Sequence, residues 1–320
     1  MKTTWFALLG LMALAPLALG QPKDFPNRPV KIIVMTTPGS SADSTARIFS
    51  EQLTGIFGQP VIVENRPGAD GEIGVMAVTS APADGYTLLL GSNSPLSANP
   101  IVKKGLPYDP LKELKPVYGI FKAMNAFIVA GDSKFSSLSD LVETAKKATQ
   151  PLNVGTSFAG YRLDVKWFAG LAGVSFNDIP YKGTAQVVTD VMGHQLDFGY
   201  VDRSLVGPLL KSGKLRVLAV GGNTRYPDAP ETPTVQESGY PEYLSYAWTA
   251  FFVRSETPDD VVAKLATAVP KAAASDQVKA FVKRLGAEEM PLGPAEMRKF
   301  HVEELARYQR VAAAAGMKPQ

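Results

Sequence analysis

The sequence predicts an α/β fold of two lobes with a ligand cleft between them. Short β-rich runs alternate with stretches of helical apolar spacing, which is typical of parallel strands joined by crossover helices. The 320 residues are too many for one ordinary domain and sufficient for two. Hydrophobic residues make up 45% of the chain, and its 28 glycines and 25 prolines are spread along it, as expected of many short turns.

The elements follow one another in two similar series. The first series begins with a β-rich run at residues 30–35, after which Ile48, Leu53 and Phe57 adopt helical spacing. The predicted strands are residues 30–35, 61–63, 86–90, 153–156, 196–201 and 216–220. The predicted helices are residues 42–57, 73–80, 137–149, 163–171, 184–192 and 205–211, with a mainly helical C-terminal quarter from Pro258. Pro270 is expected to kink or split a helix in that quarter.

Two extended segments, residues 117–130 and 246–253, are the candidate connections between the lobes. If both cross, the first lobe is discontinuous and comprises residues 21–122 and 247–320, and the second lobe comprises residues 123–246. A cleft between two such lobes is the usual location of a small-molecule site.

Residues 1–20 have the pattern of an export signal. Lys2 precedes an apolar stretch, and Ala18 and Gly20 are the small residues that a signal peptidase requires, with cleavage before Gln21. The alternatives are a buried N-terminal helix or a membrane anchor. The apolar run of about 14 residues is shorter than the roughly 20 needed to span a bilayer, which favours the cleaved signal.

Composition excludes several classes of function. There is no cysteine, so disulfides, thiolate metal sites and cysteine nucleophiles are excluded. The two histidines, His194 and His301, cannot form a multi-histidine metal centre, and the net charge of +3 without a basic run excludes a nucleic-acid footprint. The glycines of residues 68–74 do not have dinucleotide-binding spacing. We therefore expect no cofactor and no metal.

A secreted α/β hydrolase is the alternative to a binding protein. Residues 155–160 superficially resemble a nucleophile elbow around Ser157, but the elbow requires glycine two residues later, where Ala159 stands. The partner base would have to be His194 or His301, and we expect both at the surface or at helix caps.

Two strand-to-helix turns, residues 36–41 and 155–160, are rich in small and hydroxyl side chains. The start of a helix offers unpaired N–H groups and a partial positive charge, so such turns bind carboxylates well. Hydroxyl groups add donors without adding charge. Each turn alone could equally be an ordinary N-cap, and the presence of one in each lobe favours a ligand site.

Several segments occur together in an order that marks a family. They are RPVKIIV at residues 28–34, Pro38-Gly39 with Asp43 and Ala46-Arg47, GQPVIVENRPGA at 58–69, ADGYTLL at 83–89, PYKG at 180–183 and GKLRVLAV at 213–220. Over residues 25–316 the chain resembles the Bug-type (Bordetella uptake gene) extracytoplasmic solute receptors, the substrate-binding family of tripartite tricarboxylate transporters.

The resemblance implies a periplasmic binding protein (Venus-flytrap) fold and no enzymatic activity. It implies capture of a small organic acid, whether a di- or tricarboxylate or an aromatic acid, in the periplasm. It also implies delivery to the membrane permease subunits of a tripartite transporter, and we expect a monomer. Carried over position by position, the ligand residues are Thr37, Gly39, Ser40, Ser41 and Ser92 from the first lobe, and Thr156, Ser157, Ala159, Gly160, Thr184 and Asp202 from the second.

Three positions depart from the family pattern. Ser40 replaces a glycine of the first turn, Asp202 stands where the family often has asparagine, and Arg162 falls where the family has a histidine. We expect Arg162 to bind a second carboxylate of the ligand, beside an apolar wall of Phe158 and Tyr161.

The alternative for Arg162 is that it points to solvent or pairs with Asp164 or Asp202. Ionised in the cleft, Asp202 would repel a dianion unless it paired with Arg203 or with a ligand amine.

Overall fold

Strands and helices alternate along most of the chain. The computed structural model describes residues 25–226 and 228–317, so the predicted export signal at residues 1–20 lies outside the described residues. The strands are β1 Val30–Val34, β2 Val61–Asn65, β3 Thr87–Ser92, β4 Leu114–Ala130, β5 Leu152–Thr156, β6 Phe176–Pro180, β7 Phe198–Asp202, β8 Leu215–Val220, β9 Tyr246–Arg254 and β10 Glu288–Glu289. The helices are α1 Ser41–Phe57, α2 Glu72–Thr79, α3 Asn99–Val102, α4 Pro110–Glu113, α5 Leu138–Lys147, α6 Ala159–Ala172, α7 Thr184–Met192, α8 Gly207–Lys211, α9 Asp259–Ala273, α10 Asp276–Leu285 and α11 Pro294–Ala314. Short 3₁₀ turns at Ala69–Gly71 and Arg203–Leu205 and a π-helical turn at Ser94–Ala98 complete the described elements.

The strands form one curled sheet in the order β2-β1-β3-β9-β4-β7-β5-β6, with β8 and β10 also paired to β4. In one half, β1 lies parallel to β2 and β3, and in the other, β5 lies parallel to β6 and β7. The carboxyl ends of these parallel strands carry the two predicted ligand turns, because β1 leads into α1 and β5 leads into α6. The two-lobed α/β fold class is confirmed.

The long strand β4 belongs to both halves of the sheet. Residues 114–124 pair antiparallel with β9, and residues 125–130 pair with β7 and β8. The partner strand changes between Met124 and Asn125, so β4 is a continuous connection from one half to the other.

Each half has its own apolar core. In the first, Phe49 and Leu53 of α1 are fully buried with Phe251 of β9. In the second, Phe127 of β4 contacts the rings of Phe168, Tyr200 and Phe198. Helix α11 joins this second core at its C-terminal end, since Tyr308, Val311 and Ala312 are buried there.

Several local expectations were wrong. Helix α6 begins at Ala159 and not at residue 163, because Phe158 is the last extended residue and Ala159 and Gly160 form the first helical turn. Strand β6 was not predicted, since an edge strand with exposed positions lacks a continuous apolar run. Helix α9 continues through Pro270 and ends at Ala273, so Pro270 does not split it.

Candidate functional site

The first predicted turn is a well-capped helix start. Ser40 is the N-cap of α1, and its hydroxyl accepts from the Asp43 N–H at 3.1 Å and hydrogen-bonds Thr36 Oγ1 at 2.6 Å. Gly39 adopts a φ of 82°, a left-handed conformation that favours glycine. Thr37 is exposed and Ser41 is half-buried, so the turn presents both residues toward open space.

Asp43 occupies part of this helix start and was missed as a site residue. Its carboxylate accepts from the Gly39 N–H at 2.9 Å, from Arg47 Nε at 2.9 Å and from Asn65 Nδ2 at 3.0 Å. Burial raises the pKa of Asp43, but these hydrogen bonds outweigh it, so the pKa lies below its usual value. A ligand carboxylate at this turn would therefore lie next to the Asp43 carboxylate, which already accepts the hydrogen bond of the Gly39 N–H.

The second predicted turn connects β5 to α6 and is largely buried. Thr156 Oγ1 donates to Asp178 Oδ1 at 2.6 Å, and Ser157 Oγ lies 3.2 Å from Thr184 Oγ1 at the start of α7. Burial, only partly offset by the hydrogen bond from Thr156, raises the pKa of Asp178. The structure thus brings Thr156, Ser157 and Thr184 together, although Thr184 is far from the other two in sequence.

The two halves of the molecule meet at the first turn of α6. The Gly160 N–H donates to Ser94 Oγ at 3.2 Å, and a Cβ on residue 160 would lie 2.6 Å from the same oxygen. Ser94 begins the turn that follows β3, two residues after Ser92. This close approach favours glycine at position 160, and sequence reasoning did not single out Ser94. Ala159, its neighbour, is buried in the same helical turn.

Arg162 has a partner that the sequence did not indicate. Its Nη2 lies 2.8 Å from Asp70 Oδ2, and this carboxylate also lies 3.3 Å from Lys103 Nζ. The alternative expectation, that Arg162 pairs with Asp164 or Asp202, is wrong. Asp70 was missed because nothing in the local sequence relates the loop before α2 to the start of α6.

The apolar wall expected beside Arg162 is only half formed. Tyr161 is buried in the core, with its ring 5.9 Å from that of Tyr200. Phe158 is half-buried and touches Tyr161 edge-on at 5.8 Å between ring centroids. Phe158 alone therefore remains to face a ligand.

Asp202 ends β7 and acts as a helix cap. Its Oδ1 accepts from the Ser204 N–H at 2.8 Å, and burial raises its pKa. Among the described residues Asp202 forms no ion pair with Arg203, whose guanidinium lies 3.3 Å from the ring centre of Tyr226.

Neither histidine can serve Ser157 as a base. His194 is exposed and pairs with Asp132 at 3.1 Å. His301 is fully buried, with Nε2 2.8 Å from the Leu96 carbonyl oxygen, so the expected surface or cap position of His301 is wrong. The Ser157 hydroxyl instead contacts Thr184, which supplies no general base.

Two surface grooves lie away from these turns. One of about 320 Å³ lies beside the first strands of the sheet and contains none of the predicted ligand residues; its charged lining is Arg28, Lys31, Glu64, Arg66 and Asp84. Within the part of the chain that the structure describes, no cluster of three or more His, Cys, Asp or Glu residues could hold a metal ion. Among the same residues, no helix combines the length and apolar character of a membrane span.

The two-lobed α/β fold, with a helix start at the carboxyl end of a parallel strand in each half, is that of a solute-binding protein. Residues 45–317 match the family described as tripartite tricarboxylate transporter family receptor, TctC. The chain is 32% identical to Protein BugT of Bordetella pertussis, over 99% of this chain and 98% of that protein. The chain therefore belongs to the TctC family of Bug-type solute receptors, as its sequence motifs indicated.

Solved structures agree with this assignment. R. palustris Rpa4515 with adipate has a TM-score of 0.87 and 31% identity, covering 93% of this chain and all (100%) of that chain. MatC from Rhodopseudomonas palustris with bound malate has a TM-score of 0.84 and 27% identity, covering 90% of this chain and 99% of that chain. The family consists of substrate-binding receptors, so the expectation of a binding protein is confirmed and the hydrolase alternative is wrong.

Proposed function

We propose that this chain captures a small organic acid between its lobes in the periplasm and delivers it to the permease subunits of a tripartite transporter. The observation that carries the proposal is the contact of the Gly160 N–H with Ser94 Oγ, because it brings the start of α6 against the end of β3. Donors from both halves of the molecule then surround one cleft. Related proteins were solved with adipate and with malate, which supports a carboxylate as the ligand.

The proposed site has two parts. The start of α6 holds one carboxylate through the Ala159 N–H and the hydroxyls of Ser157 and Thr184, beside Gly160, whose own N–H donates to Ser94. The start of α1 and the end of β3 complete the cleft with Thr37, Gly39, Ser40, Ser41 and Ser92. Thr156 and Asp202 lie at the ends of β5 and β7 and border the site, as does Arg162, whose guanidinium already has a carboxylate partner.

The proposed lobes are residues 21–122 with 247–320, and residues 123–246. We propose that an export signal is cleaved before Gln21. We also propose that the exported chain is a monomer. N-terminal sequencing of the exported protein and light scattering after gel filtration test these two statements. Retention of Met1, or a dimer at micromolar concentration, would contradict them.

Calorimetric titration with adipate and malate tests the binding function. Thr184→Val removes a donor of the proposed site, and we expect it to weaken the bound acid by about 1 kcal/mol, the typical net value of a hydrogen bond. Thr189→Val is the matched control, because Thr189 is exposed on the same helix and its hydroxyl donates to the Ala185 carbonyl oxygen. Equal losses in both variants would contradict the assignment of Thr184.

A further inference from the structure

The ion pair of Asp70 and Arg162 joins the two halves of the molecule. Asp70 lies in the turn between β2 and α2, whereas Arg162 lies on α6, which follows β5. Their side chains are 21% and 27% exposed, so the pair is largely shielded from solvent. Because its partners come from different lobes, this contact exists only while the lobes are close together.

Asp70 lies in a loop of left-handed backbone conformation that is fixed by a hydrogen bond. Asp70 has a left-handed conformation with φ 55° and ψ 33°, between Gly68 and Gly71, which also have positive φ. Asn99 Nδ2 donates to the Asp70 carbonyl oxygen at 3.2 Å and holds this loop. A strained residue is retained where the surrounding structure holds it, and such residues often serve function.

The charge of Arg162 is compensated within the protein. Lys103 Nζ contacts Asp70 and Glu72, and it donates to the Ala69 carbonyl oxygen at 3.1 Å. The cluster of Arg162, Lys103, Asp70 and Glu72 therefore contains two cations and two anions. A ligand meets a neutral cluster and not a free guanidinium.

This cluster lies beside the donors of the proposed carboxylate site. Arg162 is two residues after Gly160 in the first turn of α6. Its charge partly offsets the rise in the pKa of Asp178, the carboxyl that accepts from Thr156 at the end of β5. The Asp70 carboxylate thus occupies the position on the Arg162 guanidinium that the second carboxylate of a diacid would need.

We propose that Asp70 is a specificity-determining residue that makes the cleft prefer an acid with one carboxylate over a diacid of the same length. The inference rests on the proposed function, since it concerns the ligand of that site. A dianion would have to displace Asp70 from Arg162 and add negative charge to a neutral cluster. A monocarboxylate leaves the ion pair intact and lets it hold the lobes together.

The test compares hexanoate with adipate, two six-carbon acids that differ by one carboxylate. We expect the wild type to bind hexanoate more tightly, and Asp70→Asn to raise the ratio of adipate to hexanoate affinity by about tenfold or more, the size of one charge-assisted hydrogen bond. Asn tolerates the left-handed backbone, so the loop keeps its shape. The gain should disappear in Asp70→Asn/Arg162→Gln, which lacks the freed cation.

Asp84→Asn is the matched control. It removes the same charge from a carboxylate that pairs with Arg28 at 2.6 Å, away from α6. We expect the affinity ratio of this variant to equal that of the wild type. An unchanged ratio in Asp70→Asn, or the same change in Asp84→Asn, overturns the proposal.

A measurement without either acid separates this proposal from the proposed function. Asp70→Gly accepts the same backbone conformation and deletes the carboxylate. By small-angle scattering without any added acid we expect it to have a larger radius of gyration than the wild type. If no variant binds either acid, the proposed function fails for these ligands, whereas an Asp70→Gly radius equal to that of the wild type overturns the role of Asp70.

Discussion

Asp164 makes the stability of this protein depend on pH near neutrality. It lies on α6 and is fully buried, with Oδ2 accepting from the Ser245 hydroxyl at 2.6 Å. Its Oδ1 has no hydrogen-bond partner among the described residues. Burial raises the pKa of Asp164 from 3.8 to about 7, and the nearby Arg307 and the Ser245 hydroxyl offset only part of that rise.

The direction of the effect follows from proton binding. In the unfolded chain Asp164 loses its proton near its usual pKa of 3.8, whereas in the folded protein it keeps the proton until about pH 7. Between these values the folded state binds more protons, so stability falls as pH rises through this window. A pKa difference of about 3 corresponds to about 4 kcal/mol, which is fully expressed above pH 7.

Asp164→Asn keeps the shape of the side chain and removes its charge. The amide nitrogen that replaces Oδ1 has no acceptor, which costs about 1–3 kcal/mol at every pH. The free energy of unfolding of the variant relative to the wild type should therefore rise by about 4 kcal/mol between pH 4 and pH 8. The variant is the less stable protein at pH 4 and equals or exceeds the wild type at pH 8.

Urea unfolding at several pH values measures this difference. Glu242→Gln, a substitution at an exposed residue, serves as the control and should follow the wild type. If the curves of stability against pH for Asp164→Asn and the wild type run parallel from pH 4 to pH 8, the reasoning about Asp164 is refuted.

Three other substitutions test the core and the two helix starts. Gly160→Ala places a Cβ 2.6 Å from Ser94 Oγ and should weaken acid binding, measured by calorimetry, by about 1–3 kcal/mol. The double variant Gly160→Ala/Ser94→Ala should recover part of this loss. An affinity of Gly160→Ala equal to that of the wild type would contradict the close approach. The pKa of Asp43 is lowered in the folded protein, so its ionised form stabilises the fold above the unfolded pKa of 3.8, and this contribution is lost as pH falls. Asp43→Asn should therefore have a lower melting temperature than the wild type, by a difference that shrinks between pH 6 and pH 3. A difference that stays constant over this range would argue against the role of the carboxylate. Phe127→Ala should lower the free energy of unfolding, measured with urea, by about 3–5 kcal/mol. Val302→Ala, at a side chain that is 45% exposed, should change it by less than about 1 kcal/mol. Similar losses in the two variants would be inconsistent with the core described above.

The sequence by itself determined the features that depend on local physics. Alternating β-rich and helical segments indicated the α/β class, because apolar periodicity and turn residues act over short distances. Ser40 was recognised in a helix-starting turn, and it is the N-cap of α1. The turn after β5 was found in the same way, although its last residues proved to be the first turn of α6. The ordered motifs were enough to indicate the receptor family.

Tertiary structure decided which distant residues meet at the site. Arg162 pairs with Asp70 and Gly160 approaches Ser94, contacts that join segments 92 and 66 residues apart in the chain. His301 is buried against the Leu96 carbonyl although its neighbours on α11 include exposed charged residues. Such contacts arise from strand order and from the packing of α6 and α11 across the sheet, and these are set by the free energy of the whole fold. No periodicity or turn signal encodes them, because local patterns report only the preferences of neighbouring residues.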